Sequence, residues 1–173
     1  PENPDSYKGI SISDPSDSVY NGMEHKWAPK VKDASGAALT EDADYTVTYD
    51  TDDFTNVKTV TVTIKGIGNY AGTATKAYKI TPAPLTVNAK SVSKVYDGTA
   101  LTAGGTIEGL VNGETATAKT EGSQTEVGTS DNKVAGIEWG TASEGNYQVV
   151  SQNDGVLTVT AKSIVPDPDD ENN

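Results

Sequence analysis

The sequence predicts an all-β protein made of two small domains in tandem. Three observations carry that prediction. β-branched and aromatic residues alternate with threonines over short runs, no apolar stripe at helical spacing lasts three turns, and one set of landmarks occurs twice in the same order. "VYNG" begins at Val19 and "VYDG" at Val95, while "GNY" begins at Gly68 and again at Gly145, so the two offsets differ by a single residue. Each unit then closes on a strand-like segment, "TKAYKIT" over 75–81 and "GVLTVT" over 155–160. The chain therefore divides into a first β domain over 1–82, a second over 83–162 and an acidic tail over 163–173.

In the first domain, Tyr20-Asn21-Gly22 joins an aromatic to Asn-Gly, a dipeptide that tolerates positive φ in a tight turn. Tyr45, Val47 and Tyr49 alternate with Thr46 and Thr48, and Val60, Val62 and Ile64 alternate with Thr59, Thr61 and Thr63. A period of two puts one set on a buried face. "GIGNYAG", containing Gly68, Asn69 and Tyr70, predicts a Gly-rich hairpin loop, after which Ala74, Tyr78 and Ile80 share one face of a strand.

Pro82 and Pro84 fix an extended path at the junction, which favours two units laid end to end as a semi-rigid rod. Leu85 and Val87 open the second domain as inward-facing strand positions, and Tyr96-Asp97-Gly98 repeats the turn. Over 109–120 the pattern comes nearest to a helix, but Gly113 interrupts it at about 1 kcal/mol relative to Ala, so one helical turn is the most it predicts. Gly145, Asn146 and Tyr147 then lead to the closing strand. The expected architecture is a pair of Ig-like antiparallel β-sandwiches, with a β-grasp-like mixed sheet as the alternative for the second. Both units are short for the roughly 100 residues of an Ig sandwich.

Composition narrows the function. With no cysteine, disulfides, thiolate metal sites and a cysteine nucleophile are all excluded. The net charge is -12 and every one of the 13 basic residues is Lys, so the basic stripe and Arg forks of a nucleic-acid binder are missing. No apolar run approaches the roughly 18 residues of a membrane span, and Pro1 to Gly9 has neither a basic nor an apolar leader region. No nucleic-acid partner and no membrane insertion are expected.

The stretch "ITPAPLTVNAKSVSKVYDGTALT", with "GLVNGETATA" and "GNYQVVSQNDGVLTVTA" behind it, resembles the YDG and MBG families of repeat domains of bacterial surface proteins and adhesins. The first unit, with "VYNGMEHKWAPKVKD", "LTEDADYTVTYD" and "VTIKGIGNYAGTATKAYKI", is similar to a related Ig-like repeat of Gram-positive surface proteins. The resemblance spans about residues 19 to 161, and it implies an extracellular, non-enzymatic spacer or adhesion module at the cell surface or cell wall. The first unit departs from it at "TDDFTNVKT", where such repeats more often carry an Asn-rich turn followed by Gly.

Candidate site residues are few. Tyr20, Tyr70, Tyr96 and Tyr147 are read as rings packed over turns, with glycan stacking as the alternative. Trp27 and Trp139 sit at unmatched positions of their units, so either one is a candidate contact for a host glycan or protein. Asp50, Asp52 and Asp53 are the candidate for Ca²⁺, an ion that prefers carboxylate oxygens. Their loop lacks the Gly and distant Glu of an EF-hand, so a solvated acidic turn is the expected reading and no metal or other cofactor is expected. Asp14, Asp17, Asp167, Asp169 and Asp170 are read as loop and linker acids.

His25 is the single histidine and stands in a polar segment, which leaves a Ser-His-Asp site without support, and no enzyme is expected. Lys65 with Asn69, or Lys94 with Asn146, is the candidate pair for a self-formed isopeptide crosslink, against solvated edge lysines as the simpler reading. A monomer is expected, with neighbouring repeat domains of the same chain as partners. Two functions stand: a stalk that projects another domain, and a recognition module that binds glycan or matrix protein through loops or an exposed Trp.

Overall fold

The alternating runs form strands, and the inward residues of the second run, Val60, Val62 and Ile64, are at most 4% exposed. A computed structural model describes residues 9–166, 168 and 169 and divides the chain into two units, Pro1–Ala83 and Pro84–Asn173. The described part is all-β, with one 3-10 turn over Glu144–Asn146. Of the tail expected over 163–173, Asp167 and residues 170–173 lie outside the described residues, as does the sequence before Gly9.

Unit 1 contains β1 (Ser11–Ile12), β2 (Ser18–Val19), β3 (Val31–Lys32), β4 (Tyr45–Tyr49), β5 (Lys58–Gly66) and β6 (Thr73–Thr81). β4, β5 and β6 make an antiparallel meander, and β2 adds to β6 in parallel, giving the order β2-β6-β5-β4. β1 and β3 pair separately and antiparallel. Threonine and valine suit this geometry because their branched Cβ fits a pleated, half-buried surface. Val60, Val62 and Ile64 of β5 and Tyr78 of β6 cluster with Val31, Tyr45 and Phe54, and Ile12, Trp27 and Leu39 pack against them. Each fully buried Val or Ile there contributes about 1.5–3 kcal/mol by leaving water. "GIGNYAG" makes the expected hairpin loop, closed by Gly66 N–H on Gly72 O at 2.9 Å, with Gly68 and Gly72 at φ of 63° and 95°.

Unit 2 contains β7 (Ala83–Ala89), β8 (Val92–Val95), β9 (Gly105–Glu108), β10 (Ala116–Glu121), β11 (Gly128–Trp139), β12 (Tyr147–Asn153) and β13 (Gly155–Thr160). One sheet runs β10-β11-β13-β8, with β8 parallel to β13; the other runs β12-β7-β9. Leu85 and Val87 of β7 and Leu157 and Val159 of β13 are at most 1% exposed, so both sheets supply the core. Over 109–120, Asn112 and Gly113 take positive φ in a turn closed by Glu114 N–H on Val111 O, and β10 follows at once.

The two units share one topology. The order β2-β6-β5-β4 maps onto β8-β13-β11-β10, and the antiparallel pair β1-β3 maps onto β7-β9. The four-stranded sheet of each unit is mixed, not antiparallel throughout, because the VY strand joins its closing strand in parallel. Two differences stand out. In unit 1 the GNY loop leads directly into the closing strand, whereas in unit 2 it leads into β12, so another strand separates GNY from "GVLTVT". β5 pairs with both neighbours at once across Val62 to Lys65, whereas β11 pairs with β13 through 128–132 and with β10 through Lys133 onward.

Asn132 sits at that switch and is fully buried. Its side-chain amide donates to the carbonyls of Lys90 at 2.9 Å, Ala103 at 3.2 Å and Gly104 at 3.3 Å, while its Oδ1 has no protein partner. One side chain thus satisfies carbonyls from two loops in a place where exposed backbone would be costly.

Candidate functional site

The duplicated VYNG and VYDG segments are the first feature with a shared geometry. In each unit the segment's strand lies parallel to the closing strand, and the same atoms fasten it. Tyr20 N–H donates to Thr81 O and Tyr96 N–H to Thr160 O, both at 2.8 Å. Thr81 Oγ1 donates to Ser18 O and Thr160 Oγ1 to Lys94 O, both at 3.3 Å. One further side chain holds each closing strand: Asp17 Oδ1 accepts from Lys79 N–H at 2.7 Å, and Ser91 Oγ accepts from Val156 N–H at 2.9 Å. We refer to this arrangement as the clasp. It spans two residue pairs in unit 1 and four in unit 2.

The turn after each clasp is built alike. Gly22 and Gly98 take φ of 76° and 79°, values open to glycine at little cost. Asn21 Oδ1 accepts from Met23 N–H and Asp97 Oδ1 from Thr99 N–H, each at 2.9 Å, the side-chain mimic of a backbone turn. The third contact differs. Asn21 meets His25 Nε2 at 2.8 Å, whereas Asp97 meets Lys94 Nζ at 2.7 Å. Lys94 also donates to Thr99 O and Oγ1. Lys94 first, and then Thr99, hold the Asp97 carboxyl well below the usual carboxylate range. The Lys94 ammonium is engaged in this turn, and Lys65 is an exposed residue at the end of β5.

The tyrosines of the landmarks occupy different settings. Tyr20 is 4% exposed, whereas Tyr96 is 36% exposed. Asn69 is exposed in the loop and Tyr70 is half-buried. Gly145 lies in the 3-10 turn, Asn146 is buried, and Tyr147 is buried with its hydroxyl donating to a Glu114 carboxylate oxygen and accepting Val111 N–H at 3.3 Å. Burial, and then the bond to Glu114, raise the Tyr147 pKa. Trp139 is half-buried and stacks on Tyr147 with ring centroids 6.0 Å apart.

Trp27 lines a polar concavity of unit 1. Its backbone is pinned by two tyrosines: Trp27 N–H donates to Tyr78 Oη at 3.3 Å, and Tyr49 Oη donates to Trp27 O at 2.9 Å. Tyr78 Oη in turn donates to His25 O at 2.7 Å. Lys26 Nζ stands 4.8 Å from the Tyr49 ring centre and 5.1 Å from that of Phe54, cation over aromatic face. Burial, followed by the charge of Glu41, raises the Tyr49 pKa. The resulting open cleft of about 330 Å³ is walled by Asp14, Ser16, Ser18, His25, Trp27 and Tyr78. With Lys26 also in the wall, hydroxyls, an imidazole, a carboxylate, an ammonium and an indole can together hold a hydroxyl-rich ligand.

The acidic cluster is organised by its own backbone. Asp53 accepts from the N–H groups of Thr55 and Asn56, from Asn56 Nδ2 and from Lys58 Nζ at 3.0 Å. Asn56 leads the groups that push the Asp53 carboxyl far below its ordinary value. Asp50 Oδ1 accepts Thr61 N–H, and Asp52 is exposed. Among the loop acids, Asp14 pairs with Lys76 and Asp17 bonds the β6 backbone. No group of three or more metal-ligating side chains converges among the described residues.

Residues 81–155 match a single family model, running from the last residue of β6 to the first of β13 and so taking in the Lys94-Asp97-Thr99 turn, Asn132 and Tyr147. A YDG domain is found there. No curated protein matches the chain. Residue types alone did not mark two groups that the geometry brings forward, the buried Asn132 amide of the YDG domain and the Tyr78 hydroxyl of unit 1. Both depend on strands distant in sequence. The Lys94 turn, by contrast, carries a local signal, Asp-x-Thr with a lysine three residues ahead of the aspartate.

Proposed function

We propose that the chain is a non-catalytic, extracellular module of a bacterial surface protein, serving as a semi-rigid spacer that carries tension between the domains on either side. The clasp is the observation that carries this reading. In a parallel pair the start of one strand and the end of the other lie at opposite ends, so a pull between those two points loads all their hydrogen bonds at once instead of one after another. β6 is flanked by β2 and β5, β7 by β12 and β9, and β13 by β8 and β11, so tension meets strands hydrogen-bonded on both sides. The resemblance of the first unit to Ig-like repeats of Gram-positive surface proteins, and the YDG match of the second, agree with neighbouring repeats of the same chain as the principal partners.

The direction of pull tests the proposal. With handles at residues 92 and 160 the clasp of the YDG unit is loaded in shear; with handles at 95 and 160, which are paired neighbours, it is peeled. The spacer reading expects a several-fold higher rupture force in shear, and equal forces would overturn it.

A second reading, recognition of a host glycan or matrix protein, is favoured by one observation: the Trp27 cleft, polar, open and built around an aromatic that unit 2 does not repeat. Saturable binding of a glycan or matrix-protein panel that is lost in Trp27→Ala supports it, and retention of binding in that variant excludes the cleft.

A further inference from the structure

Among the described residues, unit 1 has an open strand position that unit 2 fills from its own chain, a feature independent of the spacer reading. β1 and β3 correspond to β7 and β9, but β7 is also paired with β12, whereas β1 has no second partner among the described residues. In unit 2, β12 starts at Tyr147 of the GNY landmark. In unit 1, the matching Tyr70 stays in the hairpin loop, and an open apolar groove of about 330 Å³ lies between it and β1, walled by Ile10, Ile12, Ile64, Tyr70, Ala71 and Ala74.

The backbone beside the groove faces the right way. Ser13 N–H donates to Lys30 O at 2.9 Å, toward β3, so the alternation of a strand turns the N–H and C=O of Ile12 to the other edge, which no described strand pairs. Ile10 is 47% exposed there. Open edges with apolar neighbours are templates for strand addition, in which main-chain bonds give affinity and alternate side chains give specificity.

We propose that this position receives a β-strand from another polypeptide, an extended and uncharged segment with an aromatic at its start and apolar or small residues at alternate positions. The occupant's chemistry is read from β12, "YQVVSQN", in which Tyr147 is buried and Val149 and Ser151 are half-buried between exposed neighbours, with no charged residue. The groove matches that character. Its one carboxylate, Asp44, already accepts Thr40 N–H.

The test adds a synthetic peptide of residues 145–153, GNYQVVSQN, to the isotopically labelled full chain and follows amide exchange and chemical shifts. Saturable slowing of exchange at Ile10–Ser13 with shifts at Tyr70 and Ala71 is expected, absent with a scrambled peptide. Ala71→Trp fills the groove from an exposed position, and Ile10→Glu charges its wall without touching the core, so each is expected to abolish binding while the spectrum elsewhere stays native. No change at Ile10–Ser13 at millimolar peptide overturns the proposal, as does binding that survives Ala71→Trp. Concentration-dependent dimers that protect the same amides without peptide would also overturn it, because the occupant would then be a second copy.

Discussion

The clasp of unit 1 joins two residue pairs and that of unit 2 joins four, yet the Tyr amide, the threonine hydroxyl and the positive-φ glycine occupy the same places in both. The fastening between the VY strand and the closing strand is therefore the part of the plan held in common, and the differences lie in what surrounds it. Unit 1 stabilises its long 20–30 segment with tyrosine hydroxyls, whereas unit 2 inserts β12 and stabilises a split β11 with the buried amide of Asn132.

Four substitutions sharpen that contrast, and each unit holds one Trp as its own reporter once the other is changed to Phe. The largest effect is expected for Asn132→Ala, which removes the donor to the Lys90 carbonyl and leaves the Ala103 and Gly104 carbonyls with only the Thr120 hydroxyl and the Lys90 N–H. It should cost about 3 kcal/mol in denaturant melts followed at Trp139, with the Trp27 transition unchanged. Tyr78→Phe should do the converse, destabilising unit 1 alone by about 1–2 kcal/mol through the lost bonds to His25 O and Trp27 N–H. Gly22→Ala and Gly98→Ala force a Cβ into left-handed backbone, and each should cost about 1 kcal/mol in its own unit. A large inequality between them would break the equivalence of the two turns.

The smallest effect is a pH dependence. Asp97 and Asp53 have folded-state pKa values below their ordinary one, so the stability they contribute is present above about pH 4 and is lost as pH falls below it. Lys94→Met removes the leading cause at Asp97 and should flatten the acid limb of unit 2. Lys58→Met removes only a minor cause at Asp53 and should leave unit 1 nearly as acid-sensitive as before. Melts at a series of pH values between neutral and strongly acid check both.

Much of the fold was legible because period-two alternation is a local signal. Tyr45 to Tyr49, Val60 to Ile64 and Tyr78 to Ile80 declare their strands and inner faces without reference to anything distant. The paired landmarks declared the tandem plan for the same reason. What escaped were matters of long-range pairing. β12 was hidden because "YQVVSQN" has only a weak alternation, and the parallel pairing of each VY strand with its closing strand joins residues more than 60 positions apart. Asn132 looked like any polar residue of "SDNK", since its burial depends on loops from two other parts of the unit. At the candidate site, Trp27 was visible as an unmatched aromatic, but its cleft required Tyr78 and Asp14 to arrive from opposite ends of the unit.

The force–extension curve of the whole chain, pulled from its two ends, puts the clasp under the load it is held to carry. Two separate ruptures are expected, with unit 1 yielding at the lower force because its clasp has half the paired residues, and with Asn132→Ala lowering only the higher-force event. A curve in which the YDG unit yields first, or in which both units extend without a resolvable rupture, would contradict a load-carrying clasp.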